Sequence, residues 1–385
     1  VTTYSAATVF DAALDRIRWV YDHTDDLIVS MSGGKDSTVM YELARIVAAE
    51  RGRLPLKCFW LDQEAEWQST VDYMQAVMHE PDVKPYWFQV PFRLTNSMSF
   101  TNSYLHAWAP EDRERWIHPQ DPVAITRNPT NSDRFYTLVK QLPLYCGVRY
   151  RKHVGILIGL RMSESGNRRM MLMTPRVPYG GINWCRKATN NTRGFYPIYD
   201  WSDQDIWTAI AKHDWTYNRV YDQFYRYGLA PAKMRVSALI HETSWRSIDR
   251  LHEIEPATYD RFLDRLSGAN CFAQFGEDIM VYKLPPTFAD WREYRDYLLE
   301  HLIAPEKQAI FRRRWGHKKG GEDERWLKIQ VKEVMLNDVD GTFANNAFAG
   351  FRAKDFVDSG ARDARRAERF QKFLTEDAAR GKLGL

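Results

Sequence analysis

An α/β fold is what the chain predicts: a parallel sheet flanked by helices, followed by a mainly helical C-terminal region. Three observations lead there. Short apolar, β-branched runs alternate with segments of helical periodicity between residues 6 and 90. A glycine-rich turn stands between the first such run and the helix after it. Past about Leu239 the alternation stops and helical patterning takes over. A βαβαβ rhythm implies parallel strands with right-handed crossovers.

Taken in order, Ala6 to His23 has Val9, Ala13, Ile17 and Val20 on one helical face. Leu27 to Met31 reads as a buried strand, and Thr38 to Arg51 as the next helix, with Val39, Leu43, Ile46 and Val47 at helical spacing. Leu56 to Leu61 is a second strand ending at Asp62, Trp67 to His79 a helix, and Tyr86 to Val90 a third strand. From Pro91 to Tyr145 five prolines break the rhythm (Pro91, Pro110, Pro119, Pro122 and Pro129), so residues 91–145 read as a long insertion, helical near Ser132 to Gln141. The sheet resumes at Val154 to Leu160, Gly180-Gly181 marks a turn, and Tyr196 to Tyr199 is a short strand candidate. Ser202 is a good N-cap for a helix over Asp203 to His213, with Asp203 and Asp205 suited to its first turn and Ile206, Trp207 and Ile210 facing inward. The tail from Ala361 to Leu385 reads as a charged helix. This divides the chain into residues 1–238, an α/β domain carrying the insertion, and residues 239–385, helical and partly basic.

Composition narrows the function classes. A net charge of +4 over 385 residues excludes a histone-like polycation but leaves room for a local basic patch. No apolar run is long enough to span a bilayer, and Val1 to Phe10 lacks a signal-peptide pattern, so a cytoplasmic protein without membrane contact is expected. Cys58, Cys146, Cys185 and Cys271 include no Cys-x-x-Cys pair, so reduced thiols are expected and an iron–sulfur cluster is not. The 14 tryptophans would supply an aromatic interface if the chain is a homo-oligomer.

The chemistry is concentrated in Ser32-Gly33-Gly34-Lys35-Asp36-Ser37. A glycine turn at the carboxyl end of a strand, opening a helix, presents unpaired N–H groups and a favourable dipole to an anion. Gly33 and Gly34 let phosphate oxygens approach the backbone. Lys35 adds a point charge, Ser32 and Ser37 add hydroxyl donors, and Asp36 is a candidate to hold Mg²⁺ or to cap the loop. The order does not fit a Walker loop or a Gly-x-Gly-x-x-Gly turn.

This hexapeptide resembles the PP-loop of the adenine nucleotide α-hydrolase superfamily. Two further segments narrow the resemblance to the phosphoadenosine phosphosulfate (PAPS) reductase-like family: Gly159-Leu160-Arg161-Met162-Ser163-Glu164-Ser165-Gly166-Asn167-Arg168, and Pro197-Ile198-Tyr199-Asp200-Trp201-Ser202-Asp203-Gln204-Asp205-Ile206-Trp207. The resemblance runs from about Asp25 to Leu229. It implies about five mostly parallel strands with the nucleotide across their carboxyl ends, as in PP-loop ATPases. It implies nucleotide binding by residues 32–37 with Asp62, Gly159 and Arg161. Lys35, Asp36 and Arg161 would carry the chemistry, with Asp36 on the metal. Asp62 would lie near the ribose or a metal, or else would only cap the next helix. Glu164 and Arg168 would meet substrate or pair with each other.

The chain departs from true PAPS reductases, which carry a cysteine in a C-terminal Glu-Cys-Gly-Leu-His-like segment; here no cysteine follows Cys271. In this it is similar to a large, cysteine-poor, IbrA-like subgroup, which implies a ParB-like protein partner. Arg312, Arg313, Arg314, Lys318 and Lys319, with Phe311 and Trp315 between them, suit a nucleic-acid backbone and its bases, or else form a solvated helix end. Three functions fit. The first is an adenylating enzyme, an ATP pyrophosphatase using ATP and Mg²⁺ to make AMP and pyrophosphate while activating an acceptor such as a nucleic acid or a sulfur-transfer substrate. The others are a sulfonucleotide-using reductase or sulfotransferase, and a nucleotide-sensing regulator that binds DNA without turnover.

Overall fold

The computed structural model describes residues 7–96, 104–146, 153–173, 179–189, 192–229, 234, 236, 238–240, 250–266, 284–316, 324–335 and 337–339. Helix α1 (Val9–His23) leads into β1 (Asp26–Ser30), then α2 (Lys35–Glu50), β2 (Leu56–Leu61), α3 (Gln68–Met78) and β3 (Val83–Phe88). After the insertion come β6 (Val154–Ile158), α5 (Gly166–Met173), β7 (Cys185–Lys187), β8 (Thr192–Phe195), α6 (Asp203–Lys212) and α7 (Val220–Arg226). The sheet order is β3-β2-β1-β6-β8-β7, with every pairing parallel except β7 against β8. Five parallel strands with an antiparallel edge strand answer the expected sheet.

The order reverses at β1, whose two neighbours are β2 and β6. At such a switch point the connections leave in opposite directions and open a crevice at the carboxyl ends of the strands. The glycine turn lies at that place. Strands β1, β2 and β6 are almost wholly buried, as helices on both faces require.

Two sequence expectations move. Tyr196 to Tyr199 is a turn, and the strand lies just before it at Thr192–Phe195. Pro197 has no N–H for a ladder, whereas Gly194 fits where the Ile158 side chain presses close. The insertion holds more than a helix: β4 (Phe92–Thr95) and β5 (Tyr104–Ala107) form an antiparallel pair, and α4 is confined to Phe135–Gln141.

The cores do not divide at residue 238. Leu239, Ile240, Leu251, Phe262 and Leu266 pack in one cluster with Phe59 and Phe88 of the sheet. A separate cluster joins helices Trp291–Leu302, Pro305–Gly316 and Glu324–Met335 through Trp291, Leu299, Phe311, Trp315, Val331 and Val334. The charged helix expected over Ala361 to Leu385 lies outside the described residues.

Helix Pro256–Arg265 is fastened by charge as well as by packing. Arg265 Nε lies 2.7 Å from Glu64 Oε1, with both side chains buried, and its Nη1 lies 2.8 Å from Asp112 of the insertion. Glu64 sits in the left-handed region at φ 63° and accepts the Trp108 N–H at 2.8 Å. Removing one partner strands the other charge. Arg265→Met is therefore expected to lower the unfolding free energy in urea by about 3–5 kcal/mol, and the double variant Arg265→Met/Glu64→Gln to recover part of it. A single-variant loss under about 1 kcal/mol would contradict a buried pair.

Candidate functional site

Strand β1 delivers the chain to the loop, and two constraints shape it. Gly33 has φ +67°, and a Cβ there would meet Thr70 Cγ2 at 2.5 Å. Gly34 is the N-cap of α2, where a Cβ would lie 3.2 Å from Val236 and 3.4 Å from Tyr221 Oη. Ser37 Oγ donates to the Gly34 carbonyl at 2.8 Å and accepts from Ser32 Oγ at 3.1 Å, so both serine hydroxyls tighten the turn. The first intrahelical bond runs from Thr38 N–H to the Gly34 carbonyl at 2.9 Å. The amides of Asp36 and Ser37, ahead of it, have no carbonyl partner within the helix.

Gly159, just past β6, lies against this first turn: a Cβ would stand 2.6 Å from the Asp36 carbonyl oxygen and 2.9 Å from Ser37 N. That closeness carries Arg161 into the site. Its Nε donates to Asp36 Oδ1 at 2.7 Å, its Nη2 to Asp36 Oδ2 at 3.3 Å and to Asp203 Oδ1 at 3.2 Å, and its Nη1 to Ser163 Oγ at 2.8 Å. Lys35 Nζ lies 3.1 Å from the same Asp203 oxygen and 5.5 Å from the centre of the Tyr221 ring. The lysine, the arginine and the start of a helix thus converge on one spot, with donors that suit an oxyanion.

The two other motifs are stitched together beside it. Met162 N–H donates to the Tyr199 carbonyl at 2.8 Å and Ser163 Oγ to the Trp201 carbonyl at 2.9 Å. Ser202 caps α6 in a capping box with Asp205. Trp207 stacks edge-on against Tyr217 and Tyr221.

Sequence reasoning missed two residues at and just before the start of α7. Asn218 Nδ2, fully buried, donates to the Gly33 carbonyl at 3.1 Å and to Thr70 Oγ1 at 2.8 Å. Tyr221 Oη accepts the Lys35 N–H at 3.2 Å, and burial raises that phenol and keeps it protonated. Neither belongs to a glycine turn or a charged motif, so no spacing rule singles them out. Asp203, in the third motif and the first turn of α6, joins the site as well.

Other expected site residues have different surroundings. Asp62 is fully buried; Oδ1 accepts the Glu64 N–H at 2.9 Å, and Oδ2 accepts Trp87 Nε1 at 3.0 Å and Gln89 Nε2 at 2.9 Å. It caps no helix: Trp67 is the N-cap of α3, and the Gln68 and Ser69 N–H groups at the start of α3 donate to Glu255. His118 Nε2 lies 3.3 Å from Asp62 Oδ1; burial is the largest influence and lowers the imidazole, but the Asp62 charge and contact, the Pro119 carbonyl and the Glu64 charge together outweigh it and the net shift is upward. Glu164 and Arg168 form an i,i+4 ion pair with each other. Asp36 does not fit a metal-ligand role here, because both of its oxygens face Arg161. Among the described residues no group of three or more His, Cys, Asp or Glu side chains has metal-holding geometry.

In the C-terminal helices Phe311 and Trp315 are buried in their own cluster, so they are not stacking platforms for bases. Arg314 Nη1 donates to the Val339 carbonyl at 2.8 Å, and its Nη2 lies 3.0 Å from Glu333. Arg312 and Arg313 are exposed; Lys318 and Lys319 lie outside the described residues. Cys58, Cys146 and Cys185 are buried and form no disulfide with one another, and Cys271 lies outside the described residues. No helix among the described residues is long and apolar enough to cross a membrane.

A parallel sheet with this loop at its switch point, and with two further motifs closing on Lys35 and Asp36, defines a PP-loop nucleotide-binding domain. The match to the phosphoadenosine phosphosulfate reductase domain family covers residues 26–228, more than half the chain, and the chain belongs to that family. It is 28% identical over 358 residues to the uncharacterized protein YbdN of Escherichia coli strain K12, covering 86% of this chain and 84% of that one. It is 24% identical over 228 residues to the adenosine 5'-phosphosulfate reductase of Allochromatium vinosum, covering 59% of this chain and 75% of that one. The phosphoadenylyl-sulfate reductase structure from Candida auris aligns with 58% of this chain and 93% of its own at 11% identity, with a TM-score of 0.33.

Between β2 and α3, Glu66 is buried and accepts a hydrogen bond from Gln63 Nε2 at 3.3 Å. Burial first, and the Asp62 charge second, raise its carboxyl well above the ordinary range. A raised folded pKa gives a contribution that is full below the unfolded carboxyl value and is lost as pH rises toward the folded one. Glu66→Gln is accordingly expected to match the parent in thermal unfolding at pH 4 and to exceed it increasingly as pH rises above the ordinary carboxylate range. A constant offset across pH would contradict a buried neutral acid.

Proposed function

We propose that the chain is an adenylating enzyme that binds ATP through its PP-loop and splits it between the α- and β-phosphates. Family membership makes the chain a nucleotide-using PP-loop enzyme of the PAPS reductase-like kind. The convergence of Lys35 Nζ and the Arg161 guanidinium at the opening of α2 supports adenylation.

In this reading the β- and γ-phosphates rest on the loop amides and Lys35, leaving the α-phosphorus open. An acceptor oxygen attacks it. The bond from the α-phosphorus to the α,β-bridging oxygen breaks, and its electron pair leaves on pyrophosphate. The acceptor's proton passes to solvent, and AMP is joined to the acceptor, from which a second nucleophile displaces it. Lys35, Arg161 and the amides neutralise the charge that builds on the leaving group. The Asp36 carboxylate contributes by aiming Arg161.

The sulfonucleotide reading draws support from the Allochromatium vinosum relative. In its reductase form it requires an accessible thiolate, from the chain or from an external reductant, and the described thiols do not supply one: burial pushes Cys58 and Cys146 far up, and Cys185 is buried too.

Incubating the protein with Mg²⁺ and α-labelled ATP, together with nucleic acids, nucleotides or sulfonucleotides as acceptors, separates these readings. AMP and pyrophosphate are expected with one acceptor class, reduced about 100-fold or more in Lys35→Ala. ADP as the product, or sulfite release from a sulfonucleotide, would overturn adenylation.

A further inference from the structure

We propose that Asp203 is a built-in competitor for the ligand: its carboxylate holds the place of a phosphate oxygen between Lys35 and Arg161 and yields it when a polyphosphate arrives. The inference rests on the reading of the loop as a phosphate seat and deepens it by naming how the seat is kept.

One oxygen, Asp203 Oδ1, lies 3.1 Å from Lys35 Nζ and 3.2 Å from Arg161 Nη2. Those are the distances and partners a phosphate oxygen would take. With Asp36 and Asp203 present, the two cations are balanced by two anions. An incoming phosphate meets a neutral cluster unless one carboxylate gives way.

The two carboxylates differ in how readily they can leave. Asp36 is 13% exposed and grips Arg161 through both oxygens, whereas the Asp203 side chain is 45% exposed. An exposed carboxylate regains water on release; a buried one does not. Asp203 also has somewhere to remain charged, because it is the first residue of α6 after the Ser202 cap. There the positive end of the helix favours an acid whether or not Lys35 is near. The capping box is closed by Asp205, so the helix start does not depend on Asp203. Tyr221 completes the arrangement: its hydroxyl accepts the Lys35 N–H and its ring lies beneath the ammonium, so Lys35 is held at the mouth in either state.

Mutation of Asp203 should then act opposite to mutation of an ordinary binding residue. Calorimetric titration of the full chain with inorganic pyrophosphate, and separately with MgATP, reads this directly. Asp203→Asn is expected to bind pyrophosphate about threefold to tenfold more tightly than the parent, and Lys35→Ala to bind it at least tenfold more weakly. Asp222→Asn removes an equal charge from α7, where Asp222 pairs with Arg219; it is expected to leave affinity within about twofold. Unchanged or weaker binding by Asp203→Asn would overturn the proposal, as would equal tightening by Asp222→Asn. If pyrophosphate binds neither the parent nor Asp203→Asn, both this inference and the phosphate seat fall. If it binds as expected while no acceptor yields AMP, only the adenylation reading falls.

Discussion

Arg161 Nε lies 2.7 Å from Asp36 Oδ1, and through that contact two chain segments 125 residues apart become one site. The pair is mostly buried, and its geometry depends on Gly159: with any Cβ there, the end of β6 would collide with the first turn of α2. The parallel register of β1 and β6 brings the two strand ends level, from Asp26 opposite Val154 to Ser30 opposite Ile158. Sheet order, a glycine and an ion pair thus set the position of the cation that faces Lys35. The Ser163 bond to the Trp201 carbonyl then joins the same strand end to α6, so the third motif is positioned by the second.

Much of this was legible in the residues. The loop hexapeptide announced itself because strand, glycine turn and helix follow one another in sequence, and local chemistry alone defines an anion site there. Ser202 and its capping box were equally local. Arg161 was found by resemblance, because no spacing rule relates it to Asp36. The strand at 192–195 was misplaced toward Tyr196 to Tyr199, since apolarity there reflects a buried turn, with Tyr196 and Ile198 in the core, and not a ladder.

What the sequence hid is what long-range packing supplies. Asn218 and Tyr221 reach the loop from residues 186 or so downstream, and their roles depend on which backbone groups they meet. Asp62 illustrates the same limit in reverse. Its place at a strand end suggested a ligand contact, yet Trp87, Gln89 and the Glu64 amide take up its oxygens, and it becomes the anchor of the insertion. Phe311 and Trp315 looked like base-stacking residues among arginines, and their spacing of four turned out to be a core face. Polar and aromatic residues are ambiguous in this way because the same side chain serves a buried network or a ligand, and only the neighbours decide.

The central claim is that the Gly33–Ser37 turn, with Lys35 and Arg161, seats a nucleotide's phosphates. A crystal structure with an ATP analogue carrying a methylene α,β bridge tests it most directly. The account predicts the β- and γ-phosphates on the amides at the start of α2, with Lys35 Nζ moved from Asp203 onto a phosphate oxygen. A nucleotide bound elsewhere on the molecule, or phosphates held away from the turn, would contradict it.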